Sequence, residues 1–493
     1  MTHETSRRKF LGLSALGLAA AAAPGELVGQ GVAAGRSATK TPGANAEISV
    51  WVTSGEERFA VAPKAAWRTA SPAAGSDQIR LSPGTKFQEV LGFGGAFTDA
   101  ACYTFNRLSP GAREQLFHEL FHPSEMALST GRVCVGSSDY STKLYSYDDG
   151  EADPDLTRFS IEHDREYILP MLREARKVNP DLFLFSSPWS PPGWMKFNGT
   201  MLGGSMRNYH FPVYAKYYLK FLQAYAAEGV AVQALTTQNE LDTDQDGRMP
   251  ACIWPQEYEI QFLRDHLGPL LESSGMATKI WILDHNYNLW GRVVDSLEDA
   301  KLRKFVNAVA WHGYYGTADM MSKVHDAFPE TEMHWTEGGP DYTDAGYLTD
   351  WCKWGGTFSD VLNNWCHSIT AWNLALDEQG RPNIGPFPCG GVVTIGSKTK
   401  EITRSGQYWA FAHYSRVIRR GARRFLSQSQ NSQSQNSQSQ AADLRHVAVE
   451  NPDGQQVLVV TNPGPARTLD LRLANMVATV SLKPNSVTTF AWR

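Results

Sequence analysis

Two glutamates stand at the ends of short apolar runs in this 493-residue chain. Glu240 ends the stretch "ALTTQNE", and Glu337 ends "EMHWTE" just before two glycines. A carboxyl pair about 5 to 5.5 Å apart can cleave a glycosidic bond with retained configuration, one group acting as acid/base and the other as nucleophile. A glutamate at a strand end is otherwise a solvated surface charge, so the interpretation depends on the elements that carry the pair.

Three residues near these glutamates have side chains suited to a sugar. Asn239 directly precedes Glu240 and can hydrogen-bond a hydroxyl beside the reacting carbon. Tyr314, after "AWHG", is placed to donate a hydrogen bond to Glu337. Trp372, in "ITAWNLAL", can lie beneath a sugar ring, although it also fits a plain core position. Together these residues predict a carbohydrate site.

A repeat of strand-like runs and helical segments must position these side chains. Eight short apolar or β-branched runs end in polar or aromatic residues, and they are "LGFGGAFTD", "STGRVCVGSSDY", "DLFLFSSPWSPP", "VAVQALTTQNE", "TKIWILDHN", "NAVAWHGYY", "TEMHWTEGG" and "SITAWNLAL". Strand and helix repeated eight times predict an α/β fold, the closed (β/α)8 TIM barrel. Chemistry in such a barrel lies at the C-terminal strand ends, where both glutamates fall.

Helical spacing supports the segments between the runs. One predicted helix face before the fourth run consists of Tyr214, Tyr217, Tyr218, Phe221, Leu222 and Tyr225. Gly229 is expected to end that helix. The next helix is expected to open at Pro255 and to bury Leu263, Leu267, Leu270 and Leu271.

The two flanks of the barrel show the two-residue alternation of β-strands. Turn dipeptides such as Asp453-Gly454 support this interpretation. We expect residues 46–88 and 442–493 to form one antiparallel β-sandwich attached to a barrel over residues 89–425. Between them, residues 426–441 contain the polar repeat "SQSQNSQSQNSQSQ", which predicts a disordered loop.

The start of the chain is typical of an export signal. Arg7 and Arg8 directly precede an apolar, alanine-rich run, so residues 1–45 are interpreted as a twin-arginine signal peptide and linker. The alternative is a membrane anchor, but the apolar stretch is shorter than the roughly 20 residues that span a bilayer. We therefore expect a periplasmic or extracellular protein with no stable membrane span after signal removal. Its six scattered cysteines are expected to be reduced and buried, with one bridge formed after export as the alternative.

Several strings of this sequence resemble glycoside hydrolase family 30, which includes glucosylceramidases and endo-β-1,6-glucanases. They are "GFGGAFTDAA", "SSPWSPPGWMK", "HWTEGG", "AWNLALDEQGRPN" and "QYWAFAHYSRVIRRGARR". The resemblance implies Glu240 as acid/base and Glu337 as nucleophile on a (β/α)8 barrel with a β-sandwich. It also implies that the subsite for the cleaved sugar is lined by Arg132, Asp139, Trp189, Asn239, His312, Tyr314 and Trp372.

One position departs from the family pattern, because Leu241 follows the acid/base where many members carry proline. Asp242, Asp244 and Asp246 then alternate as in a calcium loop. Position twelve of that loop would be Ile253 and not glutamate, which favours a solvated or sugar-contacting loop over a metal site. We expect no metal and no cofactor, since no zinc-protease, Walker or complete dinucleotide motif occurs.

Charge and composition limit the partners. The chain has 46 lysines and arginines against 51 acidic residues, a net charge of -5, which makes nucleic acid an improbable partner. The expected substrate is a β-linked glucoside, glycolipid or oligosaccharide, cleaved by a glucosylceramidase-like retaining β-glycosidase. The alternatives are endo-β-1,6-glucanase, β-xylosidase or β-fucosidase activity, and a carbohydrate-binding protein that has lost catalysis. The sequence leaves sugar specificity and oligomeric state open.

Overall fold

The computed structural model describes residues 42–70, 77–430 and 444–493. Residues 1–41, which carry the predicted export signal, lie outside the described residues. The described chain begins with four strands, which are β1 (Glu47–Ser54), β2 (Glu57–Ala66), β3 (Arg68–Thr69) and β4 (Asp77–Glu89). Within these three ranges no helix combines the length and the apolar character needed to cross a bilayer.

Eight parallel strands then form a closed barrel in chain order. They are β5 (Gly92–Phe97), β6 (Thr130–Cys134), β7 (Phe183–Ser187), β8 (Ala234–Thr236), β9 (Lys279–Asn286), β10 (Val306–His312), β11 (Glu332–Glu337) and β12 (Cys366–Asn373). The last strand closes the barrel by pairing with the first, with Ser368 opposite Gly92. The predicted (β/α)8 barrel is confirmed, and each of the eight predicted runs overlaps one strand of the barrel.

Helices cover the outside of the barrel and connect its strands. They are α1 (Asp99–Asn106), α2 (Pro110–Phe121), α3 (Glu162–Glu166), α4 (Ile168–Val178), α5 (Phe211–Ala227), α6 (Gln256–Phe262), α7 (Gly268–Ser273), α8 (Trp290–Glu298), α9 (Ala300–Arg303), α10 (Asp319–Ala327) and α11 (Trp351–Asn363). A small sheet follows β12 and consists of β13 (Ala375–Leu376), β14 (Val393–Ile395) and β15 (Ile402–Arg404). The last helix is α12 (Gly406–Ser415).

The predicted helix faces agree with the structure except that Leu270 is only partly buried and that the second helix is divided. All six aromatic and leucine residues of the predicted face of α5 are buried, and Gly229 beyond its end has a φ of +75°. The next predicted helix begins after Pro255, but a π-helical turn over Leu263–Leu267 divides it into α6 and α7. Pro269 at the start of α7 has no N–H to donate to the preceding turn, which accounts for the irregularity.

Glycines allow the first barrel strands to approach closely. A Cβ atom at Gly94 would lie 1.7 Å from the carbonyl oxygen of Thr130 on the next strand, and one at Gly95 would lie 2.7 Å from the Leu374 side chain. The position of Gly94 therefore requires glycine, because a Cβ there would meet backbone, whereas the Leu374 side chain can move away from a Cβ at Gly95. The glycines of the motif "GFGGAF" serve strand packing at these positions.

Strands from both chain ends join in one ten-stranded sheet. Its C-terminal members are β16 (Arg423–Gln430), β17 (Arg445–Glu450), β18 (Gln456–Asn462), β19 (Arg467–Leu473), β20 (Met476–Leu482) and β21 (Ser486–Trp492). The strand β1 pairs with β21, so the sandwich is built from both ends as predicted. It encloses a second apolar core in which the rings of Trp67 and Trp492 meet edge to face.

Two details of the predicted sandwich are corrected. The pair β4 and β19 is parallel, with Ile79 opposite Leu471, so the sheet is not wholly antiparallel. The strand β16 continues to Gln430, with Ser427 opposite Leu81, although the loop was expected to start at residue 426. Alternating serine and glutamine leave the backbone free to form ladder hydrogen bonds with β4. Residues 431–443 lie outside the described part of the chain.

Candidate active site

Both glutamates lie at the C-terminal end of the barrel and face one cavity. Glu337 is the last residue of β11, and Glu240 comes just after β8. The cavity has a volume of about 550 Å³. Seven of the nine predicted site residues line it, and they are Asp139, Trp189, Asn239, Glu240, Tyr314, Glu337 and Trp372.

The other two predicted site residues, Arg132 and His312, lie behind the cavity wall. Both side chains are fully buried and contact the carboxylates from the side away from solvent. Neither side chain borders the cavity itself, and their place in the sugar subsite stays a prediction. A guanidinium and an imidazolium at these positions offset the cost of burying the carboxylates.

Glu337 is held by a donor at each carboxylate oxygen. The Tyr314 hydroxyl donates to Oε1 over 3.0 Å, as the sequence predicted. A guanidinium nitrogen of Arg132 donates to Oε2. The same guanidinium also donates to the side-chain oxygen of Asn239 over 2.8 Å. These contacts fix the orientation of the Glu337 carboxylate toward the cavity.

Glu240 also accepts a hydrogen bond at each oxygen. His312 Nδ1 lies 3.2 Å from Oε1, and Gln245 Nε2 donates to Oε2 over 2.8 Å. Burial alone would raise the pKa of the Glu240 carboxyl, but the His312 hydrogen bond and the positive charges of His285 and His312 outweigh it. The pKa therefore lies below its ordinary value. The ionised form of Glu240 is favoured in the free protein.

His312 connects the two glutamates. Its Nδ1 contacts Glu240, while its Nε2 lies 3.0 Å from Asp284 Oδ1 and 3.9 Å from Glu337 Oε2. Burial lowers the pKa of the imidazole, but the negative charges of Glu337, Asp284 and Glu240 raise it to about 9. At neutral pH His312 is therefore an imidazolium that shares its proton with Glu240.

Asp284 is a site residue that the sequence reasoning missed. It is fully buried near the end of β9, where its carboxylate binds Arg132 Nη2 over 2.8 Å and Thr236 Oγ1 over 2.7 Å. Burial alone would raise the pKa of this carboxyl, but the charge of Arg132 and the hydrogen bond from His312 lower it well below its usual range. Asp284 lies in the run "ILDHN" near a strand end, so the position that indicated Glu240 could also have indicated Asp284.

Asp139 lines the cavity and has one carboxylate oxygen buried without a partner in the described part of the chain. The residue is 3% exposed, and its Oδ1 has no hydrogen-bond partner among the described residues. Burial, with the charges of Glu337 and Glu240, raises the pKa of Asp139 well above its ordinary value.

Two tryptophans form the aromatic wall of the cavity. The rings of Trp189 and Trp372 stack with centroids 5.0 Å apart and planes 19° apart. The guanidinium of Arg132 lies 4.6 Å from the first ring and 5.4 Å from the second. This wall can contact the C–H face of a sugar while the polar groups bind its hydroxyls.

Two groups of side chains near the cavity contain atoms of the kind that bind metal ions. Donor atoms of Glu240, His285 and His312 lie within 4.8 Å of one another. Two of these residues contact each other directly, since His312 Nδ1 lies 3.2 Å from Glu240 Oε1.

The aspartates of the loop after Glu240 have separate partners and do not converge on a common point. Asp242 contacts His285, Asp244 accepts from the backbone N–H of Asp246, and Asp246 pairs with Arg248. This arrangement offers no shared set of calcium ligands.

Comparison with known proteins identifies the family. A family model described as the glycosyl hydrolase family 30 TIM-barrel domain matches residues 90–418. A second, the glycosyl hydrolase family 30 beta sandwich domain, matches residues 421–490.

Relatives agree with these matches. The endo-1,6-beta-D-glucanase of Neurospora crassa is 31% identical over 396 residues, which cover 77% of this chain and 80% of that protein. The lysosomal acid glucosylceramidase of Mus musculus is 30% identical over 406 residues, with 78% and 77% covered. The solved structure of SrfJ from Salmonella typhimurium has a TM-score of 0.83 at 27% identity, with 91% of this chain and 99% of that chain covered. The chain is a glycoside hydrolase and belongs to glycosyl hydrolase family 30.

Proposed function

We propose that the protein is a retaining β-glycosidase in which Glu337 is the nucleophile and Glu240 the acid/base. The observation that carries this proposal is that Glu240 and Glu337 both line one cavity at the C-terminal end of the barrel. Retaining enzymes hold their two carboxyl groups about 5 to 5.5 Å apart and inverting enzymes about 6.5 to 9.5 Å apart, so the configuration of the product tests this part of the proposal.

The first chemical step follows from the contacts of the two glutamates. A Glu337 oxygen attacks the anomeric carbon, the glycosidic C–O bond breaks, and Glu240 gives a proton to the leaving oxygen. Because Glu240 is mostly ionised in the free protein, it needs a proton source. The proton comes from solvent, because His312, with a pKa of about 9, holds its own proton more tightly than Glu240 does. In the second step Glu240 takes a proton from water, which attacks the anomeric carbon and releases Glu337.

For the substrate we propose a compound with a β-linked glucosyl unit. The first candidate activity is that of a glucosylceramidase. The relatives named above are a glucanase and a glucosylceramidase, and both names point to glucose. The former supports the second candidate, an endo-β-1,6-glucanase, equally well. The cavity rim carries Tyr315 and Phe387, which are 68% and 38% exposed and can contact either a sugar or an apolar leaving group.

Two experiments test this function. Proton NMR of the first product should show the β-anomer, because two displacements at the anomeric carbon retain its configuration. A panel of aryl β-glucosides, β-xylosides and β-fucosides, followed by glucosylceramide and a β-1,6-glucan, would identify the substrate. Release of the α-anomer would overturn the mechanism, and inactivity on every substrate would favour a carbohydrate-binding protein that has lost catalysis.

We also propose export through the twin-arginine pathway, supported by Arg7 and Arg8 ahead of the short apolar run. Replacing both arginines with lysine should hold the protein in the cytoplasm, as measured by cell fractionation and immunoblotting. Normal export of the double variant would contradict this proposal.

A further inference from the structure

One contact to Glu240 is not explained by the roles assigned so far. Gln245 lines the cavity, and its Nε2 donates to Glu240 Oε2 over 2.8 Å. The groups that lower the pKa of Glu240 are positively charged, and they are His285, His312 and Arg132. The carboxyl groups of Asp139 and Glu337 also lie nearby. Gln245 is therefore a neutral partner of Glu240 within a charged surrounding.

The backbone holds Gln245 in place. We call residues 241–249 the acid/base loop. At its start Leu241 is fully buried and its carbonyl accepts from the Trp254 N–H over 2.7 Å. The Gln245 N–H donates to Thr243 Oγ1 over 3.1 Å. Gln245 and Asp246 have φ values of 50° and 53°, which disfavour residues other than glycine, asparagine or aspartate. Strained residues of this kind persist where the surrounding structure fixes them, commonly at functional sites.

The loop is also packed closely against a neighbouring segment. A Cβ atom at Gly203 would lie 2.8 Å from the Cα of Gly247, so the two backbones are in direct contact. Gly203 in turn donates its N–H to the Met249 carbonyl over 3.3 Å. Contacts at its start, middle and end therefore restrict the acid/base loop, and the Gln245 amide is presented to Glu240 from a fixed backbone.

A primary amide suits a partner that changes its protonation state. Its N–H group donates to an ionised carboxylate, and after rotation of the amide its carbonyl oxygen accepts from a protonated carboxyl. The acid/base of a retaining enzyme passes through both states in each turnover. A cationic partner would favour only the ionised state.

We propose that Gln245 is a positioning residue for the acid/base, holding Glu240 Oε2 in both protonation states so that the carboxyl faces the leaving oxygen and then water. This inference rests on the proposed role of Glu240. It concerns a loop in which Leu241 departs from the family pattern, and it assigns that loop a part in the chemistry.

The test compares two substitutions at constant side-chain length. Gln245→Met removes donor and acceptor, and kcat/KM for alkyl glucosides, which need protonation of the leaving group, should fall about tenfold. For 2,4-dinitrophenyl glucoside it should change less than about twofold, because that leaving group needs no proton. Because the amide can partner both states of Glu240, Gln245→Met should leave the basic limb of the pH profile within about half a unit of the wild type. Gln245→Glu places a like charge beside Glu240 and should move that limb up by about one unit.

Arg248→Met is the matched control, since Arg248 belongs to the same loop but pairs with Asp246 at the surface. Its pH profile and leaving-group dependence should equal those of the wild type. Equal melting temperatures would show that every variant is folded.

An unchanged pH profile in Gln245→Glu would overturn this inference. A different result would contradict the proposed function. That result is an equal fall in kcat/KM, relative to the wild type, for alkyl and dinitrophenyl glucosides in Glu240→Gln.

Discussion

Two fully buried histidines in different regions of the molecule differ in charge at neutral pH, because His312 is protonated and His413 is neutral. His312 lies at the barrel mouth, which we define as the cavity and the buried groups directly behind it. Its residues include Asp139, Glu240, Asp284, His312, Tyr314 and Glu337. His413 on α12 lies at the seam between barrel and sandwich, where its ring nitrogens are 2.9 Å from Thr489 Oγ1 and 2.8 Å from Thr53 Oγ1. Burial and the nearby charge of Arg416 lower the pKa of His413 to about 3.

The difference shows that partners, and not burial, decide the charge of a buried imidazole. Carboxylates surround His312 and raise its pKa to about 9, whereas neutral hydroxyls surround His413 and leave the cost of burial uncompensated. The mouth is therefore a charged network suited to proton transfer. The seam is a neutral network suited to joining two domains.

Replacing the imidazolium at the mouth should have a large effect on activity. His312→Gln keeps a polar side chain but removes the positive charge and the proton that it shares with Glu240. We expect kcat/KM on aryl glucosides to fall about 100-fold, which is within the range of rate enhancement that general acid/base catalysis provides. A loss of less than threefold in steady-state kinetics would show that His312 is only a packing residue.

The same variant has a predicted signature in stability. Because the folded pKa of His312 is raised from 6.5 to about 9, the stability that it contributes is fully present below pH 6.5 and is lost as the pH rises through 9. The difference in melting temperature between wild type and His312→Gln should thus be largest near pH 6 and smallest above pH 9. A difference that grows with pH would contradict the charge state assigned here.

Asp139 should show a conflict between activity and stability at the mouth. Asp139→Asn removes a carboxyl whose raised pKa penalises the folded, ionised state at neutral pH, so the melting temperature should rise. The same change replaces a carboxyl group that lines the cavity beside both glutamates, and kcat/KM should fall about 10- to 100-fold. Calorimetry and kinetics on one preparation would measure both. A fall in both quantities would mean that Asp139 is structural.

The seam should respond to mutation in stability alone. His413→Gln weakens the hydrogen bonds to two threonines, and we expect a loss of about 1 to 3 kcal/mol in the free energy of unfolding at pH 7.5, with kcat/KM unchanged. The wild type keeps His413 neutral at a growing cost as the pH falls from 6.5 toward 3, because the unfolded chain binds the proton first. The gap between the two proteins should therefore narrow at pH 5, the reverse of the trend for His312→Gln.

The polar repeat should affect neither region. Deleting residues 432–441 leaves the strand β16 intact, since that strand ends at Gln430. Because a shorter connection changes loop-closure entropy only slightly, the melting temperature and kcat should stay within error of the wild type. A fall of several degrees would show that the repeat contributes to folding. Deleting residues 426–435 is the contrasting variant, as it removes the paired end of β16 and should destabilise the sandwich.

The repeat of apolar runs was sufficient to predict the barrel, because eight runs of one pattern have few other ways to bury their apolar residues. It also placed Glu240, Glu337 and Tyr314 at one mouth. The register of the sandwich was not predictable in the same way, since the parallel pairing of β4 with β19 depends on contacts between residues nearly 400 positions apart. Asp284 was missed because its role depends on Arg132 and His312, which only the closed barrel brings to it.

The division of work between Glu240 and Glu337 is tested most directly by azide rescue of alanine variants. Azide needs no general base, so Glu240→Ala should regain turnover of 2,4-dinitrophenyl glucoside and give a β-glucosyl azide with retained configuration. Glu337→Ala has no covalent intermediate, and any azide product should be the inverted α-anomer. NMR of the two products decides the assignment. Inverted azide from Glu240→Ala, or retained azide from Glu337→Ala, would contradict the roles given to the two glutamates.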